Sequence, residues 1–249
     1  MYCYRSMGLL FTLFLVWLAP VSAQSSSDKL KGTVVIFAEY EKNVEPYQTR
    51  VILTDEYMRF DDGEGSVDFI LFDRKANIIF NINSDEQTIM SVSPKRSKVV
   101  PPFELKQGVQ KLDSTDDAPT IAGIKPQHYV FSTNRQHCYD VVAAEGLLND
   151  VLVATRAFNS IIASQNATTL QYLPADQQDP CELSRNIFSY NRYLQFGFPV
   201  QEWDSKGKGR ALMDFKENVT LDKKLFVLPT GYKQFSVQDF REGRVDFNE

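Results

Sequence analysis

Two stretches decide the fold: GTVVIFAEYE at residues 32–41 and SVDFILF at residues 66–72. Both are rich in β-branched and aromatic residues, the side chains that suit a pleated strand. In the first, Val34, Ile36 and Tyr40 point one way while Val35 and Phe37 point the other; in the second, Phe69 and Leu71 oppose Ile70 and Phe72. A sheet with one wet face alternates more cleanly than this. Something therefore covers the second face, whether helix, ligand or partner.

Similar segments surround these two: residues 47–54 (YQTRVILT), 56–61 (EYMRFD), 77–83 (NIIFNIN) and 87–92 (QTIMSV). Turn clusters at 62–65 (DGEG), 73–76 (DRKA) and 84–86 (SDE) separate them. Joins this short require antiparallel pairing, because parallel strands need long crossovers. The expectation is an antiparallel meander.

After a strand at 127–132, the pattern predicts a helix from about 141 to 164. Leu147, Leu148, Val151, Leu152, Phe158, Ile161 and Ile162 share one side at 3.6-residue spacing, with Asn149, Asp150, Arg156 and Asn159 opposite. A second helix is expected from Asp179, as cap, through Pro180 at the first turn to about Tyr190. Strands return at 194–203 and 210–219 around a turn at 204–209 (DSKGKG). The fold class expected is mainly β with helices (α+β), a curved antiparallel sheet forming an incomplete barrel covered by a helical insertion at about 141–190. The domain would span 32–238, between a flexible leader at 24–31 (QSSSDKLK) and a loose tail at 239–249.

The N-terminus reads as a cleavable signal peptide over residues 1–23. Arg5 precedes a 12-residue run beginning at Met7, Pro20 breaks it, and Val21, Ser22 and Ala23 supply the small residues that a signal peptidase reads. The run is short of the roughly 20 residues of a spanning helix. Cleavage after Ala23 leaves 226 of the 249 residues and no transmembrane anchor. Cys3 lies upstream of the run, so no lipid-acceptor cysteine follows the cleavage point. With 27 basic and 32 acidic residues and no basic stripe, the chain shows no footprint for nucleic acid.

Cys138 and Cys181 are the cysteines left after cleavage, and an even count in an exported chain argues for a disulfide. The alternatives are two free thiols or a metal site with His137 and His128, which neither C-x-x-C nor H-x-x-x-H spacing supports. No catalytic or cofactor motif occurs. G-x-S-x-G, H-E-x-x-H and the P-loop are missing, and the glycine pairs at 63–65 and 207–209 join strands, not a strand to a helix. The neighbouring carboxylates Asp61–Asp62, Asp85–Glu86 and Asp116–Asp117 read as solvated loop surface. Asn166-Ala-Thr168 and Asn218-Val-Thr220 fit the N-glycosylation pattern, which matters only in a eukaryotic host.

Residues 48–92, with EYMRF at 56–60, ILFD at 70–73, IFNIN at 79–83 and Ile89-Met90, resemble bacterial periplasmic proteins of the lipoprotein-carrier (LolA/LolB-like) superfamily. So do FGFPV at 196–200 and the closing pattern of Asp222, Leu225, Phe226, Pro229, Gly231 and Tyr232. The resemblance spans about residues 32–235 and implies an incomplete antiparallel barrel closed by helices around an apolar cavity for lipid tails. Carriers hold their helices shut with an arginine on the sheet, for which Arg50 and Arg59 are the candidates here. The longer helical insertion departs from the carrier pattern. The expectation is a periplasmic, non-enzymatic protein binding a lipid or acyl chain between Val35, Phe37, Ile70 and Phe72 of the sheet and Leu148, Val151, Phe158 and Ile162 of the helix. The alternative is a module whose sheet edge or helical face binds another envelope protein.

Overall fold

Twelve strands form one sheet in a computed structural model that describes residues 28–96, 98–113 and 119–246. The expected signal peptide at residues 1–23 with Cys3, leader residues 24–27 and the Asp116–Asp117 pair lie outside the described residues.

The first half is the expected meander: β1 (Lys29–Glu41), β2 (Val44–Leu53), β3 (Tyr57–Asp61), β4 (Phe69–Asp73), β5 (Ile78–Asn83) and β6 (Thr88–Val92), each antiparallel to the next. Strand β1 begins inside the stretch expected to be a flexible leader, because Lys29, Leu30 and Lys31 pair with Asp222, Leu221 and Thr220. A second meander runs β7 (Gln107–Leu112), β8 (Gln127–Thr133), β9 (Gln136–Ala144), β10 (Phe198–Asp204) and β11 (Gly209–Asp222). Strand β11 lies beside β1 and joins the two halves. The short β12 (Lys233–Ser236) pairs in parallel with β6. The sheet is open, with β12 and β7 at its edges.

Residues 141–144, expected to open the helix, correct the sequence reading: they are the end of the strand at Gln136–Ala144. They are strand and not helix because Val141, Val142, Ala143 and Ala144 are held between β8 and β10. The helix, α1 (Asn149–Thr169), starts only after a corner where Gly146 (φ 81°) and Leu148 (φ 46°) take left-handed conformations. The corner separates two apolar runs that look continuous in sequence. The second helix is also shorter than expected. α2 (Pro180–Leu183) starts with Asp179 accepting a hydrogen bond from the Glu182 backbone N–H, and a π-helical turn continues it to Phe188. Residues 194–196, the start of the strand expected at 194–203, instead belong to a 3-10 turn (Arg192–Phe196) before β10. The tail is more ordered than expected: α3 (Val237–Arg241) is capped reciprocally by Ser236 and Asp239.

Each face of the sheet is covered. On one, Val35, Val51, Leu53, Met58, Phe72, Phe131 and Val141 join Val151, Leu152, Ala154 and Ile161 of α1 in the main core. On the other, Ile52, Leu71, Ile82 and Ile89 pack with Leu221 and Phe226. The closing sequence motif begins at the last residue of β11 and runs on into this second face. Asp222 caps a 3-10 turn at Lys223–Phe226, which lays Phe226 against the Tyr57 ring at 5.5 Å between centroids.

Candidate functional site

The layer between sheet and α1 brings together all eight apolar residues singled out from the sequence. Val35, Phe37, Phe72, Leu148 and Val151 are buried in the main cluster, and Ile70, Phe158 and Ile162 pack against it. Alternation along β1 and β4 turns the first four toward the helix, and helical spacing returns the α1 residues to them. Phe158 is the pivot, with its ring 4.9 Å from that of Phe60 and 6.0 Å from that of Phe72. A cavity of about 130 Å³ opens beside it. Phe37, Val151 and Phe158 line that cavity, together with Met58, Leu194 and Phe198, whereas the other five of the eight stand in the surrounding layer.

One charged side chain, Arg210 of β11, also lines the cavity. Its guanidinium lies 4.6 Å from the Phe37 ring centroid. Its Nε is 2.9 Å from Glu202 Oε1, yet is too poorly aligned for a hydrogen bond. Glu202 Oε2 is likewise buried without a hydrogen bond, with Arg185 Nη2 3.7 Å away. Burial disfavours the Arg210 charge, but Glu202, Tyr193 and Glu39 outweigh it and hold its pKa above the ordinary arginine value. Nothing in the local sequence betrays this group. It arises from register, which sets Arg210 opposite Glu202 on β10 and Glu39 on β1.

The cover is tied down from its own side. Arg192, in the 3-10 turn before β10, donates from Nε to Tyr139 Oη at 3.0 Å and from Nη1 to Ser132 O at 3.0 Å. Arg156 of α1 donates to Leu194 O at 2.6 Å. Buried Gln165 donates to Ser93 O at 2.6 Å and accepts from Arg241 at 2.8 Å, fixing the far end of α1. Arg50 and Arg59, the candidate latches on the sheet, do not reach the helix. Even-numbered residues of β2 and odd-numbered residues of β3 face the second core, and there both arginines bind Asp61, at 2.8 Å and 2.6 Å. Arg59 also donates to Leu225 O at 2.7 Å, so it fastens the C-terminal segment. Asp61, read from sequence as loop surface, is a buried ion-pair centre. The signal was available in Arg59 and Asp61, two residues apart and hence on one face.

Both histidines meet one carboxylate. His128 Nε2 is 2.8 Å from Asp140 Oδ1 and His137 Nε2 is 2.5 Å from Asp140 Oδ2. Asp140 thus occupies the Nε2 of each ring. Cys138 and Cys181 form a disulfide, so the thiol and thiolate–metal alternatives fall away. Among the described residues no cluster of His, Cys, Asp and Glu has the arrangement to hold a metal ion. Two wider clefts, of about 450 and 540 Å³, lie at the surface and are lined largely by charged and amide side chains. The first touches the main core through Cys138, Tyr139 and Cys181, and the second shares no residue with it. No described helix is long and apolar enough to cross a membrane.

Comparison with protein-family models gives no match, and neither does comparison with curated protein sequences. Among solved structures, an uncharacterized conserved protein from Thermus thermophilus aligns at 9% identity and TM-score 0.39, over 83% of this chain and 90% of that one. Two structures of PNGF-II align at 12% and 11% identity, with TM-scores of 0.39 and 0.40, over 85% and 86% of this chain. This chain spans about a third of PNGF-II, 32% and 33% of the two chains.

Proposed function

We propose that the protein is an exported, soluble, non-enzymatic binding protein that holds an apolar ligand between its sheet and α1, on an incomplete barrel of the lipoprotein-carrier kind. The observation that carries this reading is the convergence of Val35, Phe37, Ile70, Phe72, Leu148, Val151, Phe158 and Ile162 on one layer, with a cavity of about 130 Å³ inside it. Pockets that swallow drug-sized ligands measure about 300–1,000 Å³, and an apolar cavity of about 150 Å³ takes benzene. The arrangement described here therefore suits a body of roughly six carbons, and a full acyl chain enters only if α1 swings away from Phe60 and Phe72. Export to the periplasm is supported by the signal-peptide pattern and by the Cys138–Cys181 disulfide.

Native mass spectrometry of the mature protein taken directly from its own periplasm tests the reading. Excess mass that disappears on denaturation is expected, and it identifies the ligand class. A bare mass that gains nothing on incubation with small hydrocarbons contradicts it. That outcome favours the second reading, an envelope interaction module, for which the specific observation is the pair of open sheet edges, β7 and β12.

A further inference from the structure

The polar end of the cavity has a chemistry of its own. An arginine carries five N–H donors, and Arg210, at the wall of an otherwise largely apolar cavity, makes no hydrogen bond to the described residues, its Nε standing in a misaligned ion pair with Glu202. The other polar wall groups are engaged: Thr155 donates to Val151 O at 2.8 Å, and Asn159 donates to Asn191 Oδ1 at 3.1 Å. Unused donors beside an apolar space call for an acceptor. Charge decides what kind. Arg210 is flanked in register by Glu202 and Glu39, and Arg185 is the second cation within 4 Å of Glu202. Two cations thus face two carboxylates, so the charge around Arg210 is already balanced while its guanidinium makes no hydrogen bond. An incoming anion would add an unbalanced charge beside a group whose cations already face Glu202 and Glu39, whereas a neutral oxygen adds none.

We propose that the cavity selects an apolar body headed by a neutral carbonyl, as in a ketone, ester or amide, with Arg210 donating to that oxygen. This rests on the reading of the layer as a ligand site. It adds to it the head group and its recognition residue.

Three probes built on one ring separate the possibilities: cyclohexane, cyclohexanone and cyclohexanecarboxylate, titrated by NMR against the wild type and the variants Glu202→Gln and Arg210→Met/Glu202→Gln. Methionine keeps an apolar stem on Phe37, and the paired change avoids stranding a buried carboxylate. A hydrogen bond to a charged group is worth about tenfold or more in affinity. The double variant should therefore lose that much for cyclohexanone relative to cyclohexane, which makes no hydrogen bond in either protein. The carboxylate should bind the wild type more weakly than the ketone and gain in Glu202→Gln. Should the double variant not fold, the C=O stretch of cyclohexanone bound to the wild type decides: a shift to lower wavenumber than in alkane solvent is expected, and an unshifted band overturns the proposal. A carboxylate that binds the wild type more tightly than the ketone also overturns it, as does a ketone indifferent to Arg210. If cyclohexane binds in either case, the apolar site stands without this head group. If no probe binds, the proposed function falls with it.

Discussion

Replacing both bridged cysteines, Cys138→Ala with Cys181→Ala, perturbs the junction between β9 and α2. The bridge closes a separation of 43 residues that contains the end of β9 and all of α1. In the chain-entropy treatment, a loop of that length restrains the unfolded chain by about 13 cal/mol/K, or about 4 kcal/mol at 25 °C. Native contacts beside the bridge survive its removal, because Gln136 Nε2 still donates to Asp179 Oδ2 at 3.1 Å and Arg192 still holds Tyr139 and Ser132. The expected loss is therefore close to the entropic value, and at about 2–4 °C per kcal/mol for a chain of this size it lowers Tm by about 8–16 °C. Urea titration of wild type, reduced wild type and the double variant is the assay. The reduced and substituted proteins should coincide and show a larger m value than the bridged form, as the freed loop exposes more surface on unfolding. A loss under about 1 kcal/mol with an unchanged m value would refute the reasoning, since the bridge would then not be restraining the unfolded chain.

Other substitutions probe separate parts of the account. Asp61→Asn leaves Arg50 and Arg59 without their buried counter-charge and should cost about 3–5 kcal/mol by thermal or urea unfolding. Burial raises the Asp61 pKa, but hydrogen bonds and charge from Arg50 and Arg59 bring it below its ordinary 3.8 in the folded chain. Its contribution is thus complete above that value and vanishes as pH falls through the lower folded pKa. The variant's acid limb should be the shallower one, and identical limbs would exclude this role. Phe158→Ala removes a part-buried ring wedged between Phe60 and Phe72. It should cost about 3 kcal/mol, near the lower end of such truncations, and admit hydrocarbons longer than the wild type accepts, read by ligand-observed NMR. Arg192→Ala should raise amide exchange across residues 184–196 while leaving β1–β6 protected, and uniform exchange would show that Arg192 does not fasten the cover.

The meander β1–β6 was legible because segments rich in β-branched and aromatic residues and tight turn clusters succeed one another from residue 32 to residue 92. The pairing of the sheet with α1 was legible too, from the unbroken apolar face of Val151, Phe158 and Ile162. Periodicity failed at residues 141–144. The runs Val141–Ala144 and Leu147–Leu148 fit a helix and a buried strand equally well, and Gly146, the residue that separates them, is a single position. Strand β7 left no signal, since QGVQKL is a largely exposed edge with little apolar content. The cover of the second face escaped because segment 222–232 packs through Phe226 from a 3-10 turn, which has no period to read. Arg210 escaped for a different reason: its environment is assembled across β1, β11 and β10, and register between distant strands is not written in any local pattern.

The most direct test of the central claim is a methyl-labelled NMR titration of the folded protein with cyclohexane, a body close in size to the cavity. The account predicts saturable shifts confined to the methyls of Val51, Met58, Val151, Leu152 and Leu194, with those of Ile82 and Ile89 on the opposite face unmoved. Shifts that fail to saturate, or that fall equally on both faces, would contradict a ligand site between the sheet and α1.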